Sequence, residues 1–205
     1  MICDKCPRLC AFIEENKQKF PTFFNAPVPN FGDKNATLLI VGLAPGLKGA
    51  NQTGRPFTND YAGDLLYPTL KKYGWAEGIY DRRADDGFTL KRAMITNAVR
   101  CVPPQNKVDS SEINNCNIYL KQTVSELPFL KTILCLGSVA HSAVLKAFSL
   151  KKKDYPFGHG NHFELPNGMR LICSYHCSRY NTNTGVLTTQ MFEHIFDKIN
   201  GFYNS

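Results

Sequence analysis

The chain has 205 residues, 43% of them hydrophobic, and a chain of this length can bury a core without disulfide bonds. Its net charge of +7 favours polyanionic partners, although a solvated basic surface has the same composition. No apolar run approaches the length of a membrane span, and Met1–Lys5 leads into no apolar stretch of the kind found in secretory signals. We therefore expect a cytoplasmic protein with one domain, residues 1–205, and no membrane contact.

The N-terminal segment contains three closely spaced cysteines. Cys3 and Cys6 form a C-x-x-C pair, a spacing that suits metal ligands. Cys10 is a rival ligand, but it lies in the run Leu9–Ile13 and would pack there as a small hydrophobic residue on a first helix. Because eight cysteines in a reducing compartment do not form disulfides, metal binding, buried thiols or catalysis are the expected uses.

Four apolar runs predict β-strands, and the segments between them have the spacing of helices. The predicted strands are Thr37–Val41, Ala93–Thr96, Thr132–Leu136 and Arg170–Cys173, and the predicted helices are Gly63–Tyr73, Ser110–Leu127, Ser138–Phe148 and Thr188–Ile199. The second of these helices begins at Ser110-Ser111-Glu112-Ile113, which we interpret as a capping box. Strands that alternate with helices predict a three-layer α/β/α fold around a four-stranded parallel sheet.

Small or polar residues follow each predicted strand. Ligands of open α/β sheets bind at the carboxyl ends of the strands, so these segments are the place to look for function. Gly42–Gly46 follows the first strand and lets backbone N–H groups approach an anion or a base closely. His176 follows the last strand and can donate a proton or a hydrogen bond. We expect these two segments to face one cleft.

A second pair of cysteines can complete a metal site. Cys101 follows the second predicted strand, Cys116 lies in the next helix, and folding can bring both to the C-x-x-C pair. Such a site would tie the N-terminal segment to the domain. Zn²⁺ fits these residues as well as an iron–sulfur cluster, and incidental buried thiols are the alternative. The remaining cysteines are expected to be packing residues, including the one beside His176, since adjacent side chains diverge: Cys135, Cys173 and Cys177.

Three groups of segments together resemble motifs of the uracil-DNA glycosylase superfamily. They are Gly42–Gly46 with Asn51–Asp60 and Gly63–Tyr67, then Ile95–Asn106, and then Ser174–Ser178 with Asn181–Thr188. Family 5, the iron–sulfur enzymes called type b, is the most similar, because family 4 has glutamate at the position of Leu43. The chain departs from family 5 at Gly46, usually alanine, at Asn59, usually glycine, and at Cys177, usually proline.

The resemblance implies catalytic roles for individual residues. A glycosylase extrudes a nucleotide, holds its base, and stabilises a cationic sugar while the base leaves as an anion. Phe57 would stack on the base, Asn97 would read its edge through both an amide donor and an acceptor, and His176 would support the oxygen that gains charge. Asp60 would orient the water, with a helix cap as the alternative role. Further base contacts would come from the backbone of Gly42, Leu43 and Ala44.

The resemblance also implies a cofactor and a DNA-binding surface. A [4Fe–4S] cluster would be held by Cys3, Cys6, Cys101 and Cys116. Contacts with DNA would come from a serine at a helix N-terminus and from the loop after the last strand: Ser138, Arg179, Tyr180 and Asn181.

The sequence thus predicts a monomeric DNA-repair enzyme. It would hydrolyse the N-glycosidic bond of uracil in DNA, accept other deaminated bases such as hypoxanthine or xanthine, and leave an abasic site without lyase chemistry. The alternative is a non-catalytic nucleic-acid-binding protein stapled by a four-cysteine metal site. A third hypothesis is a small nucleotide-binding or redox protein that uses the cluster for electron transfer, and the lack of glycine-rich phosphate motifs counts against nucleotide binding.

Overall fold

A mixed six-stranded sheet forms the centre of the part of the chain that the computed structural model describes, residues 3–204, with side chains to residue 203. Its strands are β1 (Phe31–Gly32), β2 (Leu38–Gly42), β5 (Ala93–Asn97), β6 (Thr132–Leu136), β7 (His162–Glu164) and β8 (Arg170–Ser174), in the order β1-β5-β2-β6-β8-β7. A separate antiparallel pair joins β3 (Ala76–Glu77) and β4 (Thr89–Leu90). The ends of the predicted domain, residues 1–2 and 205, lie outside the described residues, and the single-domain organisation stays a prediction.

The predicted four-stranded parallel sheet is confirmed as the centre of the larger one. Strands β5, β2, β6 and β8 run parallel, and their bounds differ from the predicted ones by at most one residue. Sequence reasoning missed β1 and β7, which are antiparallel edge strands of two and three residues. Such short strands lack the apolar run that marks the central four, which are buried on both faces.

The described residues form helices α1 (Pro7–Lys19), α2 (Ala50–Thr53), α3 (Tyr61–Lys72), α4 (Ser110–Ser125), α5 (Ser138–Ala147), α6 (Arg179–Asn183) and α7 (Thr189–Asn204). The four predicted helices correspond to α3, α4, α5 and α7, with shifted ends. The capping box of α4 was placed one residue too late: the N-cap is Asp109, whose backbone N–H donates to Glu112 Oε2 at 2.8 Å. Among residues 3–204, no helix combines the length and apolarity that crossing a bilayer requires.

Alternate residues of the central strands pack against helices on opposite faces of the sheet. Leu38 and Ile40 of β2 join the side chains of α3 and α7, whereas Leu39 and Val41 join those of α4 and α5. This division follows from the period of two along a strand. It produces the predicted three-layer α/β/α arrangement and leaves the carboxyl ends of the strands uncovered by either helical layer.

The N-terminal helix packs on a third apolar cluster at one side of the sheet. Leu9 and Ile13 of α1 contact the segment after β5 and the first turns of α4. Arg8 forms an ion pair with Glu112, with 2.7 Å between Nη2 and Oε2, and Asn115 Nδ2 donates to the backbone oxygen of Lys5 at 2.7 Å. Polar contacts therefore already tie the N-terminal segment to α4.

Candidate active site

The loops after three parallel strands surround one cavity of about 620 Å³ at the carboxyl edge of the sheet. The loops after β2 and β8 both contribute to its wall, so these two loops face one cleft, as predicted. Every side chain predicted to contact the base lines it, with two of the three predicted backbone positions, the predicted water-orienting Asp60 and one predicted DNA-contacting residue: Phe57, Asn97, His176, Leu43, Ala44, Asp60 and Arg179.

The absence of a side chain at Gly42 lets two predicted base-binding groups approach the backbone. Gly42 and Asn97 are partners in the register of β2 and β5. A Cβ atom added at Gly42 would lie 2.5 Å from Asn97 Oδ1 and 2.5 Å from Cζ of Phe57. Asn97 is 6% exposed, and no hydrogen bond to its side-chain amide comes from residues 3–204. Its donor and acceptor are therefore free to meet a base.

Phe57 occupies a backbone conformation that bulky residues rarely adopt. Its φ is +57°, and Asn59 two residues later has a φ of +58°. Both lie in the left-handed region, which costs free energy for residues with a Cβ atom and is concentrated at functional sites. The Phe57 ring lies 6.2 Å from the His176 ring, with 27° between the planes. The turn at Phe57 thus places an aromatic face beside the imidazole.

Asp60 holds the N-cap position of α3 without acting as the cap. Its backbone is extended, at φ −121° and ψ 148°, but its carboxylate accepts no hydrogen bond from the N–H groups of the helix. The carboxylate instead lies against the Gly46–Gly49 turn, where a Cβ atom on Gly46 would be 2.9 Å from Oδ2. Gly46, one of the departures from family 5, therefore leaves room for this position of Asp60. The carboxylate is available to the cavity.

His176 is held by its own loop, and its burial favours the neutral form of the ring. Burial lowers the pKa of His176 below its ordinary value, and the nearby charge of Asp60 offsets part of this effect. Asn181 Nδ2 donates to the backbone oxygen of His176 at 2.8 Å, which fixes the loop. A neutral imidazole can donate a hydrogen bond but is a weaker acid than the imidazolium.

Cys177 is a packing residue, as predicted. Its side chain is fully buried in the apolar cluster below the loop, and burial raises the pKa of the thiol to about 12. Reactive cysteines are partly exposed and have lowered pKa values. Cys135 and Cys173 are also fully buried, inside β6 and β8. All three predictions of buried packing thiols are confirmed.

Of the four predicted DNA-contacting residues, Arg179 lines the cavity, Tyr180 and Asn181 follow it in α6, and Ser138 lies at the start of α5. Tyr180 is 73% exposed, and the Arg179 guanidinium lies 5.1 Å from the centre of the Tyr61 ring. Ser138 is exposed at the first position of α5, next to Gly137, whose added Cβ would be 3.5 Å from that of His176. Asn181 donates one of its two amide N–H groups to the backbone oxygen of His176, and its contact with DNA stays a prediction.

Sequence reasoning missed that the turn after Cys101, a residue of the cysteine-lined cavity described below, also lines the large cavity. Pro103 and Asn106 line the large cavity, and they belong to the turn that follows Cys101. Gln105 and Asn106 both have positive φ, at +54° and +57°. The Pro-Pro-Gln-Asn run is a turn signal, but sequence alone does not show that this turn reaches the cavity.

A second, smaller cavity of about 170 Å³ is lined by five cysteines: Cys3, Cys6, Cys10, Cys101 and Cys116. The four predicted ligands are thus brought together. Cys10 lies on α1 as expected, but it is half-buried rather than packed in the core, and its Sγ donates to the backbone oxygen of Cys3 at 3.2 Å. The sequence left Cys10 open as a rival ligand, and the structure places it at the same cavity as the four predicted ligands.

Donor groups around this second cavity contact cysteine sulfur atoms and favour their thiolate forms. Tyr119 donates its hydroxyl to Cys3 Sγ at 3.3 Å, and the backbone N–H of Arg100 donates to Cys116 Sγ at 3.4 Å. Nε of Arg100 is buried and has no hydrogen-bond partner among the described residues. Burial, with a smaller effect from the neighbouring thiols, raises the pKa of Cys101 to about 12, so this side chain acts as a ligand only where a bound metal favours its thiolate form. Within residues 3–204 no group of three or more Cys, His, Asp or Glu side chains is set to hold a single metal ion.

The fold and the strand-end cavity define a protein of the uracil-DNA glycosylase superfamily, and the sequence model of the Uracil DNA glycosylase superfamily matches residues 29–200. The type-5 uracil-DNA glycosylase of Thermus thermophilus is 43% identical over 195 residues, which cover 93% of this chain and 89% of that protein. The type-5 uracil-DNA glycosylase of Mycobacterium tuberculosis is 38% identical over 205 residues, which cover 95% of this chain and 76% of that protein. The chain belongs to the type-5 uracil-DNA glycosylases, the family that its motifs resemble.

A solved structure agrees on the fold alone. The crystal structure of wild-type Pedobacter heparinus SMUG2 superimposes with a TM-score of 0.54 at 15% identity, covering 98% of this chain and 86% of that one.

A type-4 enzyme is similar in sequence as well. The type-4 uracil-DNA glycosylase of Archaeoglobus fulgidus is 30% identical over 73% of this chain and 69% of that protein.

Proposed function

We propose that this protein is a monofunctional DNA glycosylase that hydrolyses the N-glycosidic bond of uracil in DNA and leaves an abasic site. The observation that carries the proposal is the single cavity in which Phe57, Asn97 and His176 meet at the carboxyl ends of β2, β5 and β8. An aromatic face, an unpartnered amide and a hydrogen-bond donor are the groups that recognise an extruded base. The similarity to proteins named type-5 uracil-DNA glycosylases supports the same activity.

The proposed chemistry depends on a leaving base that becomes an anion. Asn97 would pair with the edge of the base while Phe57 stacks on its face, so that the base enters in one orientation. His176 would donate a hydrogen bond to the base oxygen that gains negative charge as the bond to the sugar breaks. A preorganised donor of this kind is worth about 3 kcal/mol in enzymes generally.

Asp60 would orient the water that attacks the sugar. Leu43 and Ala44 offer no base, whereas the Asp60 carboxylate lies at the cavity and is not used by the helix. A carboxylate beside a cationic sugar also stabilises its charge. With a good leaving group and a cationic sugar, orienting the water suffices for hydrolysis.

The variant Asp60→Asn is expected to lower the single-turnover rate of uracil release about tenfold or more, while the melting temperature stays unchanged. The amide keeps the size of the carboxylate but cannot accept a proton or balance a cation. Because asparagine caps a helix as well as aspartate does, the cap role is tested with Asp60→Ala, in which loss of a true N-cap would destabilise the protein by about 0.5–2 kcal/mol. A normal rate in Asp60→Asn together with a lowered melting temperature in Asp60→Ala would assign Asp60 to the helix rather than to the reaction.

The proposed cofactor is a [4Fe–4S] cluster held by Cys3, Cys6, Cys101 and Cys116. Thiolates are the ligands of such clusters, and the cavity is several times the roughly 30 Å³ that one water molecule occupies. The unpartnered guanidinium N–H of Arg100 and the donors to sulfur are suited to the charge of a thiolate-bound cluster. A cluster bound here would join the N-terminal segment to the turn that lines the larger cavity.

The variant Cys101→Ala is expected to lose the brown colour of the purified protein and its bound iron. Broad visible absorbance and iron content per chain are the measurements, and zinc is determined in the same samples. Cys177→Ala is the matched control, because that thiol lies outside the cysteine-lined cavity. A colourless wild-type protein that carries one zinc would replace the cluster with a zinc site, and unchanged colour in Cys101→Ala would remove Cys101 from the ligand set.

One assay separates the proposed enzyme from a non-catalytic nucleic-acid-binding protein. Oligonucleotides that carry one uracil, hypoxanthine or xanthine are incubated with the protein and then cleaved with alkali at abasic sites. Strand breaks at uracil are expected, and breaks at the other two bases would define a broader pocket. DNA binding without breaks at any of the three would favour the binding protein. A monomeric state and a cytoplasmic location remain predictions.

A further inference from the structure

A buried ion pair lies beneath the turn that carries Phe57. Arg55 Nη1 and Nη2 donate to the two carboxylate oxygens of Asp86, each at 2.8 Å. The side chains are 5% and 0% exposed, respectively. These residues are 31 positions apart, and Asp86 belongs to the segment Gly78–Phe88 between β3 and β4, which lies outside the predicted catalytic motifs.

The carboxylate of Asp86 is anchored in its own segment. It accepts the backbone N–H of Asp81 at 2.9 Å and that of Phe88 at 3.0 Å. Burial alone would raise the pKa of Asp86, but the hydrogen bonds from Arg55 and from these two backbone groups hold the pKa well below its usual range. The Asp86 side chain is therefore a fixed anion that links Gly78–Phe88 to Arg55.

The other side of Arg55 faces the strained turn. Its Nε donates to Thr58 Oγ1 at 2.6 Å, and its guanidinium lies 5.0–5.8 Å from the centres of three aromatic rings, those of Phe31, Tyr67 and Tyr80. The arginine is thus fixed by charge, by a hydrogen bond and by cation–π contacts at once.

Two of these aromatic residues hold the turn directly. The hydroxyl of Tyr67 donates to the backbone oxygen of Pro56, and the hydroxyl of Tyr80 accepts the backbone N–H of Asn59 at 3.2 Å. Polar groups from outside the turn therefore hold the residue before Phe57 and the two residues after it. Gly63 completes the enclosure, since a Cβ atom there would overlap the backbone oxygen of Phe57.

A positive φ at both Phe57 and Asn59 persists only where the surroundings over-determine the backbone. In this protein, the surroundings are the network of Arg55, Asp86, Tyr67 and Tyr80. Without it, the turn can relax to ordinary backbone angles and carry the Phe57 ring away from the cavity.

We propose that the Arg55–Asp86 pair is a positioning device for uracil excision, through which the segment Gly78–Phe88 holds the Phe57 ring in the orientation that stacks on the extruded base. The proposal rests on the proposed function, since it concerns the same cavity. Neither Arg55 nor Asp86 lines that cavity, so the pair acts through Phe57 and not on the base.

A double-mutant cycle tests this coupling. The variants are Asp86→Asn, Phe57→Leu and the combination of both, and the single-turnover rate of uracil release is measured for each. Asp86→Asn alone is expected to lower the rate at least tenfold. In the Phe57→Leu background, the same change is expected to lower it less than twofold, because the group that it positions is already absent.

A second readout separates positioning from general destabilisation. The affinity for DNA that already contains an abasic site is expected to stay within twofold of wild type in Asp86→Asn, since no base remains to be stacked. The control variant is Asn200→Ala, which removes the partner of buried Trp75 Nε1 in the same apolar cluster and is expected to leave the rate unchanged.

Failure of the positioning role and failure of the proposed uracil excision give different results. A wild-type protein that releases no uracil would end the proposed function, whereas an Asp86→Asn change that slows both backgrounds equally would overturn only the positioning role. If Asp86→Asn does not fold, Tyr80→Phe takes its place in the cycle. This variant keeps the ring but loses the acceptor for Asn59 N–H, and we expect a threefold to tenfold loss that again vanishes in the Phe57→Leu background.

Discussion

Replacing His176 with alanine is expected to lower the single-turnover rate of uracil release at least about tenfold, an increase in the barrier of about 1.4 kcal/mol or more. The imidazole lies in the cavity beside Phe57 and is the neutral donor placed to meet the developing anion of the base. Removal of comparable donors in other enzymes lowers the rate by about 10²–10³. The measurement is the single-turnover rate at saturating protein. The control is His194→Ala, an exposed histidine of α7 whose removal is expected to change nothing.

The direction of the His176 pKa also predicts how the rate responds to pH. Burial lowers the pKa of His176 below the ordinary histidine value of about 6.5, so the neutral ring predominates above that pH. The His176-dependent part of the rate is therefore expected to rise by no more than about twofold from pH 6.5 to 8. A wild-type rate that falls tenfold per pH unit across this range, and a His176→Ala rate that does not, would show that the imidazolium is the working form.

The substitution Gly42→Ala is expected to lower the rate of uracil release by about two orders of magnitude in a protein that still folds. The added methyl group would lie 2.5 Å from both Asn97 Oδ1 and Cζ of Phe57, so that at least one of these groups must move. Displacement by about 1 Å of a group that positions substrate can cost about 10²-fold. Overpacking also destabilises a protein by about 1–3 kcal/mol, which thermal unfolding would detect.

A second glycine provides the matched control for Gly42→Ala. Gly201 lies inside α7, and a Cβ atom added there has nothing within 4 Å. Gly201→Ala is therefore expected to leave the rate unchanged and to stabilise the helix by up to about 1 kcal/mol. A Gly42→Ala enzyme with normal activity would mean that the cavity tolerates a methyl group between Asn97 and Phe57, and it would remove the close approach as a requirement for base binding.

The elements of the central sheet could be read from the chain because their signal is local. Strands buried on both faces need continuous apolar runs, and helices that cover them need apolar residues every three or four positions. Once the strands are predicted, the residues at their carboxyl ends are known as well, and these include the candidate site residues Gly42, Asn97 and His176. The edge strands β1 and β7 carry no such signal, because two or three residues on the rim of a sheet need not be apolar.

The assignment of individual side chains within the site required the folded chain. Asp60 has the sequence position of a helix cap, yet its carboxylate lies at the cavity. Asn181 was predicted to contact DNA, and the structure shows in addition that one of its amide N–H groups donates to the backbone oxygen of His176. Which of several partners a short polar side chain chooses depends on the distances around it, and those are set by segments far away in sequence.

The sequence by itself determined the layered α/β/α arrangement, the family and the set of residues at the strand ends, since periodicity and motif spacing are properties of neighbouring positions. Only the tertiary structure decided that Cys10 shares a cavity with the four predicted ligands, and that Asp86 holds Arg55 beneath Phe57. Both contacts join residues whose separation along the chain carries no pattern. They arise because the close packing of helices and loops against the sheet brings side chains from distant segments into contact.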